Sequence, residues 1–301
     1  QKKLDAAQRN LEELYREHPK IMGVVRATVD FYWRHKEQQR AINVLSQAAK
    51  DSYPDLRKQF LYEAARKETD AGQYVNARNI LGGLLTDAPY DDEYLAATAD
   101  TFARAGDDQG LKAFYLEKID LFRQANLPQD RKTREIAGLR RGLIPALTRL
   151  KDHAGAVDQY IEIANKFPED DSLVSEAALY AQKYSREKQL TDYYANTIRQ
   201  SPKDYRWPMV LARTQTQLEH YPAAIDAYTV AIQVRPDRAD LRTARAELLE
   251  RTMRFDEAAA DYQRLYELNY HDAQWMEKLA TVRARQGKIA ETVAALQSAL
   301  I

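Results

Sequence analysis

Large and small apolar residues recur along the chain at a fixed step of 34 positions. Tyr160, Tyr194, Tyr228 and Tyr262 keep that step, as do Ala178, Ala212, Ala246 and Ala280, with Pro168, Pro202 and Pro236 in the same rhythm. Three residue classes sharing one period mark a repeat array, which overrules the division into about two domains that length alone suggests. A repeat of this length that closes on proline reads as a pair of helices. Pro cannot continue the second helix and can begin the next turn. Small side chains let the two helices approach closely, toward the short end of the usual ~8–10 Å between axes. The large aromatic then fills the layer between one pair and the next. Each pair is apolar on two sides, so it must stack on neighbours to bury both.

These residues resemble the tetratricopeptide repeat, a unit of helix A, turn and helix B. The register gives units 22–55, 58–91, 92–136, 137–170, 171–204, 205–238, 239–272 and 273–301. Position 8, where the family favours a small residue, is Val29, Ala65, Ala99, Ile144, Ala178, Ala212, Ala246 and Ala280. Position 20, also small in the family, is Ala41, Ala77, Ala156, Ala224 and Ala258, with Leu111, Leu190 and Thr292 departing. The bulky position 24 is Leu45, Leu81, Tyr115, Tyr160, Tyr194, Tyr228, Tyr262 and Leu296. A turn glycine stands at Gly72, Gly106 and Gly287, and a closing proline at Pro89, Pro168, Pro202 and Pro236, with Pro54 displaced by one. The aromatic favoured at position 4 is mostly absent. The resemblance spans essentially the whole chain. It implies an all-α, right-handed superhelical solenoid of antiparallel helix hairpins running over residues 1–301 as one body.

Residues 1–19 read as an orphan helix B, with Ala7, Leu11 and Pro19 at its positions 20, 24 and 32. The chain begins at Gln1 rather than Met and stops after a helix B, as expected of a piece of a longer protein. Uncapped apolar ends would then meet either more chain or another copy, end to end. The third unit carries 11 extra residues, and inserts in repeat arrays often serve binding. The stretch Leu116 to Leu150 reads as a lengthened helix B, the loop Asn126-Leu127-Pro128-Gln129, then an extended helix A. Asp130 is the expected N-cap, and Pro145 is expected to kink or break that helix.

Composition agrees with helix. Only 10 Gly and 10 Pro occur in 301 residues, too few for the many tight turns of a strand-rich fold. Lys+Arg and Asp+Glu both total 45, so no net charge draws the chain to nucleic acid or to an anionic membrane. No apolar run approaches the roughly 18 residues of a membrane span. The absence of cysteine excludes disulfides, thiolate metal sites and a Cys nucleophile, and suits cytosol and periplasm equally. His18, His35, His153, His220 and His271 show no metal spacing, and Gly82-Gly83 belongs to no phosphate-binding loop. The pairs Asp91-Asp92, Asp107-Asp108 and Asp170-Asp171 fall between helices, where they cap N-termini rather than perform acid–base chemistry. No cofactor and no catalysis are expected.

Charge is nevertheless clustered. Eight basic residues (Arg123, Arg131, Lys132, Arg134, Arg140, Arg141, Arg149, Lys151) stand between 123 and 151, and seven acidic ones between Asp87 and Asp108. Either these are solvated helix faces or they form a bipolar partner surface. The resemblance implies that helix A lines a concave groove through unit positions 2, 5, 9, 12 and 13. That places Arg26, Asp30, Trp33 and Arg34 there in the first unit, then Tyr62, Arg66 and Asp70. Later units supply Arg141, Thr148 and Arg149, then Ser175, Gln182 and Lys183, then Arg206, Met209 and Arg213. Arg can grip a carboxylate with two parallel hydrogen bonds. The expected partner is therefore a protein or peptide segment with acidic residues or a C-terminal carboxylate. The Lys-Asn-Asn-Lys-Arg clamp of chaperone-binding relatives is absent, since Asp30, Arg66 and Asp100 hold position 9. RNA binding would have only the 123–151 run to support it. The Tyr series at position 24 is expected to be core.

Overall fold

The computed structural model describes residues 2–268 and 272–288, with positions 290, 292, 293 and 297. Among these the regular structure is helix, and no strand occurs. The chain groups into two compact units, Gln1–Leu150 and Lys151–Ile301. The division falls inside the repeat 137–170, between its two helices.

The N-terminal unit holds α1 (Lys2–Glu17), α2 (Met22–Arg34), α3 (Gln38–Asp51), α4 (Pro54–Asp70), α5 (Tyr74–Asp87), α6 (Asp92–Arg104), α7 (Asp108–Gln124) and α8 (Gln129–Arg149). The C-terminal unit holds α9 (His153–Ala164), α10 (Asp171–Lys183), α11 (Glu187–Gln200), α12 (Arg206–Gln217), α13 (Tyr221–Val234), α14 (Ala239–Arg251), α15 (Phe255–Leu268) and α16 (Ala273–Arg285). Links of three residues join A helices to the B helices that pack on them, as His35–Glu37 does for α2 and α3 and Leu218–His220 for α12 and α13.

Each of those turns is built the same way. A residue with left-handed backbone recurs at Lys36, Gly72, Gly106, Lys151, Ser185, Glu219, Met253 and Gly287, with φ between 54° and 77°. All stand at position 15 of the register. The next residue's N–H then reaches five residues back: Glu37 to Tyr32, Gln73 to Glu68, Asp107 to Phe102, His220 to Gln215, Arg254 to Leu249. This Schellman arrangement satisfies carbonyls that the end of helix A would otherwise orphan. Three positions use glycine, which adopts this conformation freely. The other five carry a Cβ there and accept the strain because the hairpin fixes the turn.

The core follows the register. Ala65, Ala178, Ala212 and Ala246 at position 8, and Ala41, Ala77, Ala156, Ala224 and Ala258 at position 20, are fully buried. Tyr160, Tyr194, Tyr228 and Tyr262 are buried, as expected of packing residues, and Tyr115 is half-buried. Leu296 lies outside the described residues. Two of these tyrosines stack on a tryptophan at position 3 of the following repeat: Tyr194 on Trp207 with ring centres 6.2 Å apart, and Tyr262 on Trp275 at 6.3 Å. Burial drives the Tyr194 hydroxyl above its ordinary pKa, as it does that of Tyr262, whose hydroxyl also donates to Glu250 at 2.6 Å.

Two local expectations are corrected. Helix α8 begins at Gln129, so Asp130 lies inside the first turn and Pro128 holds the N-cap without a side-chain bond. Asp130 helps there only through the helix dipole. Nor does Pro145 break α8, which runs continuously through it. Proline removes one backbone bond, and buried Leu143, Ile144, Ala146 and Leu147 hold the helix on either side. The acidic caps do form: Asp91, Asp107 and Asp170 accept from Tyr94, Gly110 and Leu173 N–H.

One buried ionic group ties α14 to α15. Asp261, 2% exposed, receives Arg245 in two bonds of 2.6 and 2.8 Å, and Arg242 lies 3.4 Å away. Arg242 stands at position 4, where the family prefers an aromatic.

Three stability outcomes follow, each read by urea unfolding. Ala212→Leu should destabilise by about 1–3 kcal/mol through overpacking between α12 and α13. Asp261→Ala should cost about 3 kcal/mol, since it leaves partly buried arginines without a counter-ion. Met253→Gly should raise stability by roughly 0.5–1 kcal/mol, because Met253 is 76% exposed and loses strain without losing contacts.

Candidate functional site

In the N-terminal unit the A helices wall a row of clefts. The first, about 280 Å³, lies between α2 and α4 and includes Arg26, Asp30, Glu63, Arg66 and Asp70. Arg26 is held by Glu63 in an ion pair, and Lys67 Nζ sits 4.3 Å from the ring centre of Trp33. The second cleft, about 340 Å³, lies between α4 and α6. There Arg104 Nη1 meets Asp70 at 2.8 Å and Asp100 at 3.8 Å, and Arg66 lies 6.0 Å over the Tyr62 ring. The hydroxyls of Thr69 and Thr101 meet at 2.9 Å behind it, and each also lies within bonding distance of a carbonyl four residues back. The third, about 210 Å³ between α6 and α8, is mostly apolar, with Leu95, Ala99, Tyr115, Phe122 and Leu139.

The acidic and basic runs of this unit meet each other. Asp108 accepts from Arg149 at 2.7 Å, and Asp107 takes Arg78 at 2.8 Å while capping α7. Arg140 is buried, Arg123 pairs with Asp120, and Arg131 with Glu135.

The C-terminal unit has a larger cleft, about 520 Å³, among α10, α12 and α14. Its walls carry Asp171 and Ser175, then Arg213, Thr216 and Gln217, then Asp240, Thr243, Ala244 and Glu247, with Tyr228 at the base. Arg213 Nη1 lies 2.6 Å from Asp171 Oδ1, an ion pair that joins α12 to α10. Asp240 is engaged by Arg238 through two bonds of 2.7 and 2.8 Å, which holds its carboxyl below the usual range. Burial raises the Tyr228 hydroxyl, and Arg213 beside it acts in the opposite sense.

The model of the family described as tetratricopeptide repeat matches residues 209–269 and 243–301, which include the α12 and α14 walls of the C-terminal cleft. Over that span the chain carries tetratricopeptide repeats. No curated protein matches it. Solved structures similar to it include a crystal structure of MamA protein, 14% identical, with TM-score 0.36, over 55% of this chain and 90% of that one. The structure of Naa15/Naa10 bound to HypK-THB is 14% identical with TM-score 0.43, over 98% of this chain and 50% of that one. A tetratricopeptide repeat protein from Parabacteroides merdae is 15% identical with TM-score 0.33, over 80% of this chain and 91% of that one.

The repeat register puts Arg26, Tyr62 and Arg66 on the N-terminal clefts and Arg213 on the C-terminal one. Trp33 is half-buried under Lys67, and Arg34 is exposed. Arg141 and Arg149 are exposed on α8, Lys183 lies 5.3 Å over the Tyr184 ring, and Arg206 is chelated by Asp204 through bonds of 2.9 and 2.7 Å. Met209, read as a groove residue, is fully buried instead, because α12 turns that face onto the core. Sequence reasoning missed Asp240, Thr243 and Glu247. Their signal was present, since they hold positions 2, 5 and 9 of the unit 239–272, but no Arg there drew notice. Among the described residues, no group of His, Asp or Glu could hold a metal ion, and no helix is long and apolar enough to cross a membrane.

Arg206 supplies a check on this geometry. Its two bonds lower the Asp204 carboxyl below its ordinary pKa, so the pair stabilises the fold above the unfolded carboxylate pKa and is lost as pH falls through the folded one. Carbon-13 titration of Asp204 should give a midpoint below 3.8, returning toward that value in Arg206→Ala.

Proposed function

We propose that this chain is a non-catalytic scaffold whose A-helix face binds an extended segment of another protein. Tetratricopeptide repeats are generally protein-interaction scaffolds. The observation that carries the reading is the coincidence of clefts with register. Residues at the outward positions of successive A helices line the clefts of each unit, and B helices contribute few of them. A preformed surface of this kind binds without first ordering itself, which saves part of the entropy cost of association.

An acidic side chain or a C-terminal carboxylate is best received in the N-terminal unit. Arg34 and Arg66 have no carboxylate partner among the described residues, whereas Arg26, Arg149, Arg206 and Arg213 do.

The test is selection of a displayed library of random 12-residue peptides on the full chain, followed by measured affinities. Ser175→Trp together with Ala96→Trp fills the clefts of about 520 and 340 Å³. Enriched peptides should bind this variant at least about tenfold more weakly while its far-ultraviolet circular dichroism is unchanged. Equal affinity, or no enriched peptide, overturns the reading. Among peptides that carry acidic residues, Arg34→Glu with Arg66→Glu should cost about tenfold, the scale of a lost charge-assisted hydrogen bond.

A further inference from the structure

We infer that the cleft among α10, α12 and α14 receives a lysine or arginine side chain of the bound segment, with Glu247 as its counter-ion. This rests on the A-helix face being the peptide-binding surface, and it sets the charge preference of one cleft opposite to the one that the arginines of the sequence suggest.

The lining carries three carboxylates, Asp171, Asp240 and Glu247, against one guanidinium, Arg213. Two of the three are already matched: Asp171 by Arg213 at 2.6 Å and Asp240 by Arg238 at 2.7 Å. Glu247 forms no hydrogen bond or ion pair among the described residues, so the unbalanced charge in the cleft is negative. An acidic ligand group would face that carboxylate with Arg213 already engaged, and like charges at close range are unfavourable.

Shape and polarity agree with a long cationic side chain. At about 520 Å³ the cleft is within the usual range of ligand pockets and wide enough for an extended side chain with its backbone. Thr243 and Ala244, small residues on the α14 wall, keep it open. Leu241 and the Tyr228 ring offer apolar surface to the methylenes of Lys or Arg, which pack along such surface while the charged end reaches a partner. Ser175 and Gln217 add neutral acceptors beside the path.

The experiment again uses displayed random 12-residue peptides and the full chain, with peptide affinity read by fluorescence anisotropy at two salt concentrations. Peptides displaced by the Ser175→Trp filling of this cleft should be enriched in Lys or Arg over Asp or Glu. Glu247→Lys should weaken them about tenfold and Glu247→Gln about threefold, with both losses shrinking at high salt. Replacing the peptide's basic residue by Ala should abolish its sensitivity to Glu247. Glu247 is exposed, so both variants should melt as the parent does. Peptides displaced by the filled cleft yet acidic, or indifferent to Glu247, would overturn the charge assignment while leaving the binding face intact. Peptides that ignore this filling but are weakened by Ala96→Trp would overturn the assignment and leave the face intact, and peptides that ignore both fillings would remove both.

Discussion

No helical hairpin in this chain can bury both of its apolar sides alone, and the rest of the structure answers that constraint. The alanines at positions 8 and 20 settle one side, within the hairpin. The residue at position 24 settles the other, between hairpins. In two repeats the tyrosine ring there is covered by a tryptophan at position 3 of the next, Tyr194 by Trp207 and Tyr262 by Trp275. An aromatic stack adds on the order of 1 kcal/mol beyond simple burial. The contact is therefore nearest-neighbour in kind, and stability propagates from one hairpin to the next.

The turn is the second element that each hairpin must get right. Closing helix A onto helix B in three residues requires one left-handed residue, and the same position supplies it throughout the described array. Local preference would place glycine or asparagine there. Lys36, Lys151, Ser185, Glu219 and Met253 occupy it instead. Their strain is tolerated because two packed helices and a Schellman bond fix the backbone from both sides, so tertiary packing overrides residue preference.

The elements that follow from spacing were legible in the sequence: the repeats, the buried alanines and tyrosines, and the aspartate caps. What depends on partners from other repeats was not. The arginines at groove positions invited an anion-binding reading, yet Arg26, Arg149 and Arg213 find carboxylates 37, 41 and 42 residues away, which no local pattern reports. Pro145 broke nothing because burial on both sides outweighs one lost hydrogen bond. Arg242 at position 4 made sense only beside Asp261, whose burial the linear pattern hides. Glu247 stands at an outward register position, but its lack of a partner depends on residues of other repeats that the linear pattern does not report.

Those ion pairs also decide how the face can recognise anything. Exposed pairs contribute roughly 0–1 kcal/mol each, so they neither hold the fold together nor lock the clefts. Their effect is to cancel charge. A chain with 45 basic and 45 acidic residues can present a face whose long-range field is weak, because cations and anions on neighbouring A helices sit within hydrogen-bond reach. Steering over distances beyond the roughly 8–10 Å screening length then contributes little, and selectivity falls to groups that stay unpaired inside a shaped cleft. Cancellation on most rungs is what gives a single unmatched carboxylate or guanidinium its discriminating power. In a uniformly basic groove, the same residue would only add to a general attraction.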